Sequence, residues 1–349
     1  MIGYEISPAD DGILFADHAQ LRRSGHVGLA AAQYAPGKLL AFYPNCSGER
    51  AGGYSGYGWA EYRRSEDGGE SWGEPQVLKM SVDAFLSGVA YVACEKAVSP
   101  AENVITTACL RCACEPNWEP YLEAAALISY DGGNRWSDPV RISPYRGRVC
   151  DMKVKDGEIL ALYLCAGAQH GAGGRPSAPA FRLYGSRDSG ESWSEVSALP
   201  SGASGTGGAL EFLEDGRLAA YLHNASDPCR PGLLLSPDGG RTWESAKAPY
   251  LEKGLYEPQL LRAGGAWFLF GPASDGRDGE PCGLVLYASR DGLAWDEGRF
   301  IRVPPEEGSG ECPMRACGVS LGDRILLQYA QPYSGMRANI CHTFIENIR

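Results

Sequence analysis

Short apolar runs, paired across Gly-containing turns, recur along the 349 residues of the chain. Residues 28–34 and 38–43 flank Ala35-Pro36-Gly37, and equivalent turns stand at Lys155-Asp156-Gly157, Glu214-Asp215-Gly216, Ala263-Gly264-Gly265 and Leu321-Gly322-Asp323. Apolar runs joined this way predict β-hairpins. Blade-like groups of strands follow, such as 28–34, 38–43, 59–63 and 76–78; the stretch 84–142 is the least regular, with strands expected at 88–94, 104–110 and 121–129. No apolar run reaches the roughly 18 residues of a transmembrane helix. The segment 1–7 has neither the basic nor the apolar region of a signal peptide, so the expected location is cytoplasmic, with no membrane partner.

A second pattern is superimposed on the hairpins. Ser65-Glu66-Asp67-Gly68-Gly69-Glu70-Ser71-Trp72 returns as 129–136, 186–193 and 236–243, and in shortened form as Ser289-Arg290-Asp291-Gly292-Leu293-Ala294-Trp295. In such a turn Asp accepts bonds from nearby backbone amides, Gly takes a positive φ, and Trp folds back as an apolar plug. The tryptophans at 72, 136, 193, 243 and 295 are 64, 57, 50 and 52 residues apart. That period suits a four-stranded propeller blade.

These five turns resemble the Asp boxes (BNR repeats) of the sialidase (neuraminidase) superfamily. The resemblance implies an all-β, six-bladed β-propeller, here a single domain over residues 1–349. The chain ends where a sixth box would begin, which leaves the last blade one strand short. An N-terminal strand, from 3–6 or 12–16, is expected to complete that blade and close the ring, removing open sheet edges. With up-and-down connectivity the boxes share a face with the first-to-second strand turns, and chemistry is expected on the opposite face.

Composition narrows the partners. A net charge of -11 and no Lys/Arg-rich run exclude a nucleic-acid surface of the usual basic kind. The 12 cysteines read as reduced core and loop residues in a leaderless chain. Cys112-Ala113-Cys114 has no companion pair at zinc spacing, so neither a metal nor a cofactor is expected.

The resemblance also implies catalytic positions, most of which this sequence does not match. Sialidases hold the sugar carboxylate with three arginines, attack with a Glu-activated Tyr, and use an Asp as acid/base. The first Arg falls at His26 and the second at His223; Arg277 matches the third. The acid/base Asp belongs in 45–58, where Glu49 is the sole acid. The activating Glu falls at Thr206 or Gly207, and Arg315 stands where the Tyr belongs.

A different polar set occupies the starts of the inner strands. Glu257, His26, His223 and Asp151 are the catalytic candidates; Arg148, Arg277, Arg315, Tyr256 and Glu49 are the substrate-binding candidates. Guanidinium groups suit carboxylate or sulfate, so the expected partner is an acidic oligosaccharide or glycoside. Each residue also has a structural reading: a turn acceptor for Glu257, satisfied imidazoles for His26 and His223, channel lining for Arg148 and Arg315, and a sheet-facing carboxylate for Asp151. The function expected is an exo-acting glycoside hydrolase with non-standard catalytic residues. A non-catalytic carbohydrate-binding propeller and a uronic-acid lyase are the alternatives, with oligomeric state open.

Overall fold

The structure, a computed structural model, describes residues 2–7, 12–48, 56–113, 121–166, 180–200, 205, 207–273, 283–303, 315–335 and 337–349. Two short strands, β1 (Glu5–Ser7) and β2 (Ile13–Ala16), precede β3 (Ala30–Ala35), β4 (Lys38–Cys46), β5 (Gly58–Ser65) and β6 (Gln76–Val77). The helix α1 (Lys79–Leu86) leads into β7 (Val89–Ala101), β8 (Val104–Ala113), β9 (Ala125–Ser129) and β10 (Val140–Arg141). Next come β11 (Gly147–Lys155), β12 (Glu158–Cys165), β13 (Ala180–Ser186) and β14 (Ser194–Ala198), then β15 (Gly208–Phe212), β16 (Leu218–Leu222), β17 (Gly232–Ser236) and β18 (Glu244–Ala246). The chain finishes with β19 (Gln259–Ala263), β20 (Ala266–Ala273), β21 (Gly283–Ser289), β22 (Arg299–Arg302), β23 (Ala316–Ser320), β24 (Ile325–Ser334) and β25 (Arg337–Glu346).

These strands build an all-β propeller, but not the six separate blades expected. Four sheets have the size of a blade: β11 to β14, β15 to β18, β19 to β22, and β23 to β25 with the N-terminal strands; the fifth is eight-stranded and runs from β3 to β10. The physical reason lies in β6, which pairs with Glu61 and Tyr62 alone and leaves the start of β5 open. The long strand β7 meets that open edge through a parallel bridge between Gly58 and Tyr91, fusing what the repeat pattern separates. The same stretch holds α1, which the sequence pattern did not signal; Ser81 anchors it by donating to Leu78 O at 2.6 Å. β7 also runs seven residues beyond the expected end at 94.

Both β1 and β2 pair antiparallel with β25, at Ile6↔Ile345 and Leu14↔Cys341. The innermost strands β3, β7, β11, β15, β19 and β23 stand side by side around a central channel, and β23 returns to β3. The apolar core lies between facing sheets: Phe268 and Phe270 of β20 pack with Ile325 and Leu327 of β24, and Leu162 of β12 with Leu210 of β15.

The repeated Ser-x-Asp turns pack against neighbouring hairpins. Asp131 accepts from the amides of Asn134 and Arg135 at 3.0 and 2.9 Å, while Ser129 Oγ accepts from Gly133 N at 2.8 Å. Gly133 has φ 87°, and a β-carbon there would come within 2.3 Å of Leu40 on the preceding hairpin. Gly132 N donates to Asn103 O, placing the box beside the β7–β8 turn. Among the described residues nine cysteines are free thiols, eight of them buried; Cys114, Cys282 and Cys312 lie outside the described residues. No group of metal-ligating side chains occurs among the described residues, and no described helix is long and apolar enough to cross a membrane.

Candidate functional site

The inner strands bring four charged side chains together at one end of the channel. Arg148, near the start of β11, places Nη2 2.6 Å from Glu95 Oε1 and Nη1 3.4 Å from Glu257 Oε1, while Arg315 Nη1 pairs with Glu257 Oε2. Glu257 thus lies between two guanidinium groups, with each carboxylate oxygen facing one. The Glu95 contact is electrostatic rather than a directed hydrogen bond, since neither Glu95 oxygen has a hydrogen-bond donor among the described residues.

Local backbone geometry explains these positions. Leu255 bridges Ala273 and Tyr256 N donates to Pro272 O at 2.8 Å, pinning the chain just before Glu257. Glu257 then takes φ 45°, a left-handed conformation that a non-glycine residue adopts at a cost of about 1–3 kcal/mol. The residue before a proline is further restricted, and here the next residue is Pro258. Glu95 sits where the register of β7 against β8 shifts between Cys94 and Lys96, a bulge of the kind that re-aims a side chain. A second shift, between Val149 and Asp151, follows Arg148 on β11.

Burial and charge set the protonation states. Burial raises the Glu257 pKa, but the charges of Arg315 and Arg148 outweigh it and hold the carboxyl below its usual range. For Glu95 burial dominates and raises the pKa despite Arg148. Burial lowers the pKa of His223 against the opposing pull of Glu257. The His223 ring lies 5.5 Å from that of Tyr256, and neither of its nitrogens has a hydrogen-bond partner among the described residues. Carboxylates and imidazoles with environments this different are the groups from which acid/base pairs are made.

The other expected site residues are placed as follows. His26 is fully buried, with Nδ1 2.7 Å from Ser24 Oγ; burial, then the charge of Arg315, lowers its pKa to about 3. Asp151 lies in the channel wall: its two oxygens accept from Leu210 N and Met152 N, both at 2.8 Å, and Lys153 stands 3.6 Å away. It ties β11 to β15, and the structure does not bring it into the Glu257 pairings. Arg277, Glu49 and Thr206 lie outside the described residues. Gly207, the alternative position for the family's activating Glu, packs directly against Glu257.

Glu95, Lys96 and Gln259 escaped the sequence reading. The first two stand as adjacent charges inside the apolar run 89–98, and that interruption was the available signal. Lys96 Nζ donates to Gln259 Oε1, and both residues border the site cavity as well as the channel beneath it.

No family model matches the chain, and no curated protein sequence matches it. Solved structures do match. A protein of unknown function from Dyadobacter fermentans superposes with a TM-score of 0.72 at 16% identity, covering 100% of this chain and 99% of that one. The Hadza microbial sialidase Hz136 gives 0.71 at 15%, covering 96% and 68%. The intramolecular trans-sialidase from Ruminococcus gnavus, in complex with oseltamivir carboxylate, gives 0.65 at 14%, covering 97% and 98%. The chain therefore has the propeller fold of the sialidases.

Proposed function

We propose that this protein is an exo-acting glycoside hydrolase on an acidic glycan, with its site at the Glu257 end of the channel. The observation that carries the reading is Glu257 itself, held ionised on strained backbone between Arg148 and Arg315, with His223 nearby. Strain and paired charge of this kind concentrate at functional sites. In hydrolysis water adds across the glycosidic bond: hydroxyl goes to the anomeric carbon and a proton to the leaving oxygen. Glu257 is the carboxylate that acts at the anomeric carbon, and His223 is the second proton-transfer group.

Sialosides are not the expected substrate. Arg315 stands where the family's nucleophilic Tyr belongs, and a guanidinium with pKa above about 12 forms no covalent glycosyl intermediate. One observation favours a second reading, carbohydrate binding without turnover: both Glu257 oxygens already face arginines.

The test is a panel of aryl glycosides of uronic acids, sulfated sugars and sialic acid. We expect turnover of a uronide or sulfated glycoside by the wild type and its loss in Glu257→Gln. Saturable binding without turnover supports the binding module; robust sialoside hydrolysis overturns that module and the placement of Glu257 and Arg315 at the reacting centre, and neither binding nor turnover across the panel overturns both readings.

A further inference from the structure

Among the described residues three cations border the site cavity, and two of them, Arg148 and Arg315, already face carboxylates. Arg148 is shared between Glu95 and Glu257, and Arg315 faces Glu257, so two guanidiniums meet two carboxylates. Either arginine could swing to an incoming anion only by leaving a carboxylate behind, and Glu95 is 3% exposed. Abandoning one partner of a buried ion pair is strongly unfavourable. The arginines have N–H groups left to donate, but their charge already faces Glu257, held ionised, and the buried Glu95.

Lys96 differs. Its ammonium meets Gln259 Oε1, a neutral amide oxygen, and no carboxylate lies within ion-pair distance of it among the described residues. An ammonium has three N–H donors, so two remain after the bond to Gln259. The β7 bulge that turns Glu95 toward Arg148 leaves Lys96 bordering both the cavity and the channel, half-buried rather than sealed. Burial lowers its pKa, and Asp151, the leading opposing charge, does not offset this; a charge short of counter-charge behaves in this way.

We propose that Lys96, and not the arginine pair, receives the negative charge of the ligand, as the specificity-determining residue for a singly charged sugar carboxylate. The inference rests on the reading of this cavity as an acidic-glycan site. A carboxylate placed beside Lys96 supplies the missing counter-charge while the Glu95, Arg148, Glu257 and Arg315 network stays intact. A lone ammonium reads charge as a point, without the planar fork that a guanidinium imposes. A sulfate ester, also singly charged, should therefore be accepted at the same place.

The experiment is calorimetric titration of wild type, Lys96→Met and Lys96→Gln with a uronic-acid glycoside, its uncharged methyl ester and a sulfated analogue; thermal melts confirm folding. The wild type should prefer the acid to its ester by at least tenfold. Both variants should lose most of that preference, with affinity for the ester within about twofold of wild type. A tenfold preference that persists in both variants overturns the role of Lys96 and leaves the glycan site standing. Failure of the wild type to bind any of the three ligands overturns the glycan reading and this inference together.

Discussion

Gly207 lies so close to Glu257 that a β-carbon at position 207 would come within 2.8 Å of the Glu257 Cα. The atom it meets is backbone, so relief requires the left-handed residue itself to move. Gly207→Ala should cost about 1–3 kcal/mol of stability as an overpacking change. It should also lower turnover or binding at least tenfold by displacing the carboxylate. Denaturant midpoints and the glycoside panel check both; unchanged activity in a destabilised variant would remove Glu257 from the site.

Arg148 should be the most destabilising single loss in the cluster, because its removal leaves Glu95 buried without a counter-charge. Arg148→Met is expected to cost about 3–5 kcal/mol. Adding Glu95→Leu removes the abandoned carboxylate, so the double variant should recover a substantial part of that loss. Urea unfolding of the two single variants and the double variant measures the coupling; strict additivity would show that the pair at 2.6 Å contributes nothing.

Asp131→Ala removes the acceptor for two backbone amides at a turn that sits against the preceding hairpin. The side chain is exposed, so the loss should be modest, about 1 kcal/mol, with a drop of a few degrees in Tm. Ligand affinity of the folded fraction should stay unchanged, since the box lies beside the β7–β8 turn rather than at the Glu257 cluster. A selective loss of affinity at constant Tm would contradict that placement.

Buried histidines should make the fold acid-sensitive. His342 packs among Phe15, Trp72 and Phe344, and burial lowers its pKa to about 4. The unfolded chain then binds the proton more readily than the folded one. Stability is full above the unfolded value near 6.5 and is lost as the pH falls toward 4. His342→Phe should flatten this part of the profile while leaving stability at pH 7.5 unchanged or higher. Denaturant midpoints at pH 7.5, 5.5 and 4.5 give the comparison, and an unaltered slope would place the acid sensitivity elsewhere.

Features written in local chemistry were legible without a structure. The hairpin turns and the five Ser-x-Asp boxes depend on residues a few positions apart, where Asp acceptors and positive-φ glycines act on their own backbone. Glu257, Arg148, Arg315 and His223 were legible as candidates because each stands at or near the end of an inner-strand hairpin. Their pairing was not, since Glu95 Oε1 and Glu257 Oε1 meet Arg148 from positions 53 and 109 residues away.

Tertiary contact alone decided the rest. Whether β5 and β7 belong to one sheet depends on how far β6 covers the β5 edge, a matter of spatial pairing that no repeat spacing records. The β7 bulge turns Glu95 toward one arginine and leaves Lys96 without a carboxylate at ion-pair distance among the described residues, although the two are neighbours in the chain. Sequence by itself marked Glu257, Arg148, Arg315 and His223 as candidate groups; the tertiary structure decided which charges pair, because pairing depends on distances between strands far apart in the chain.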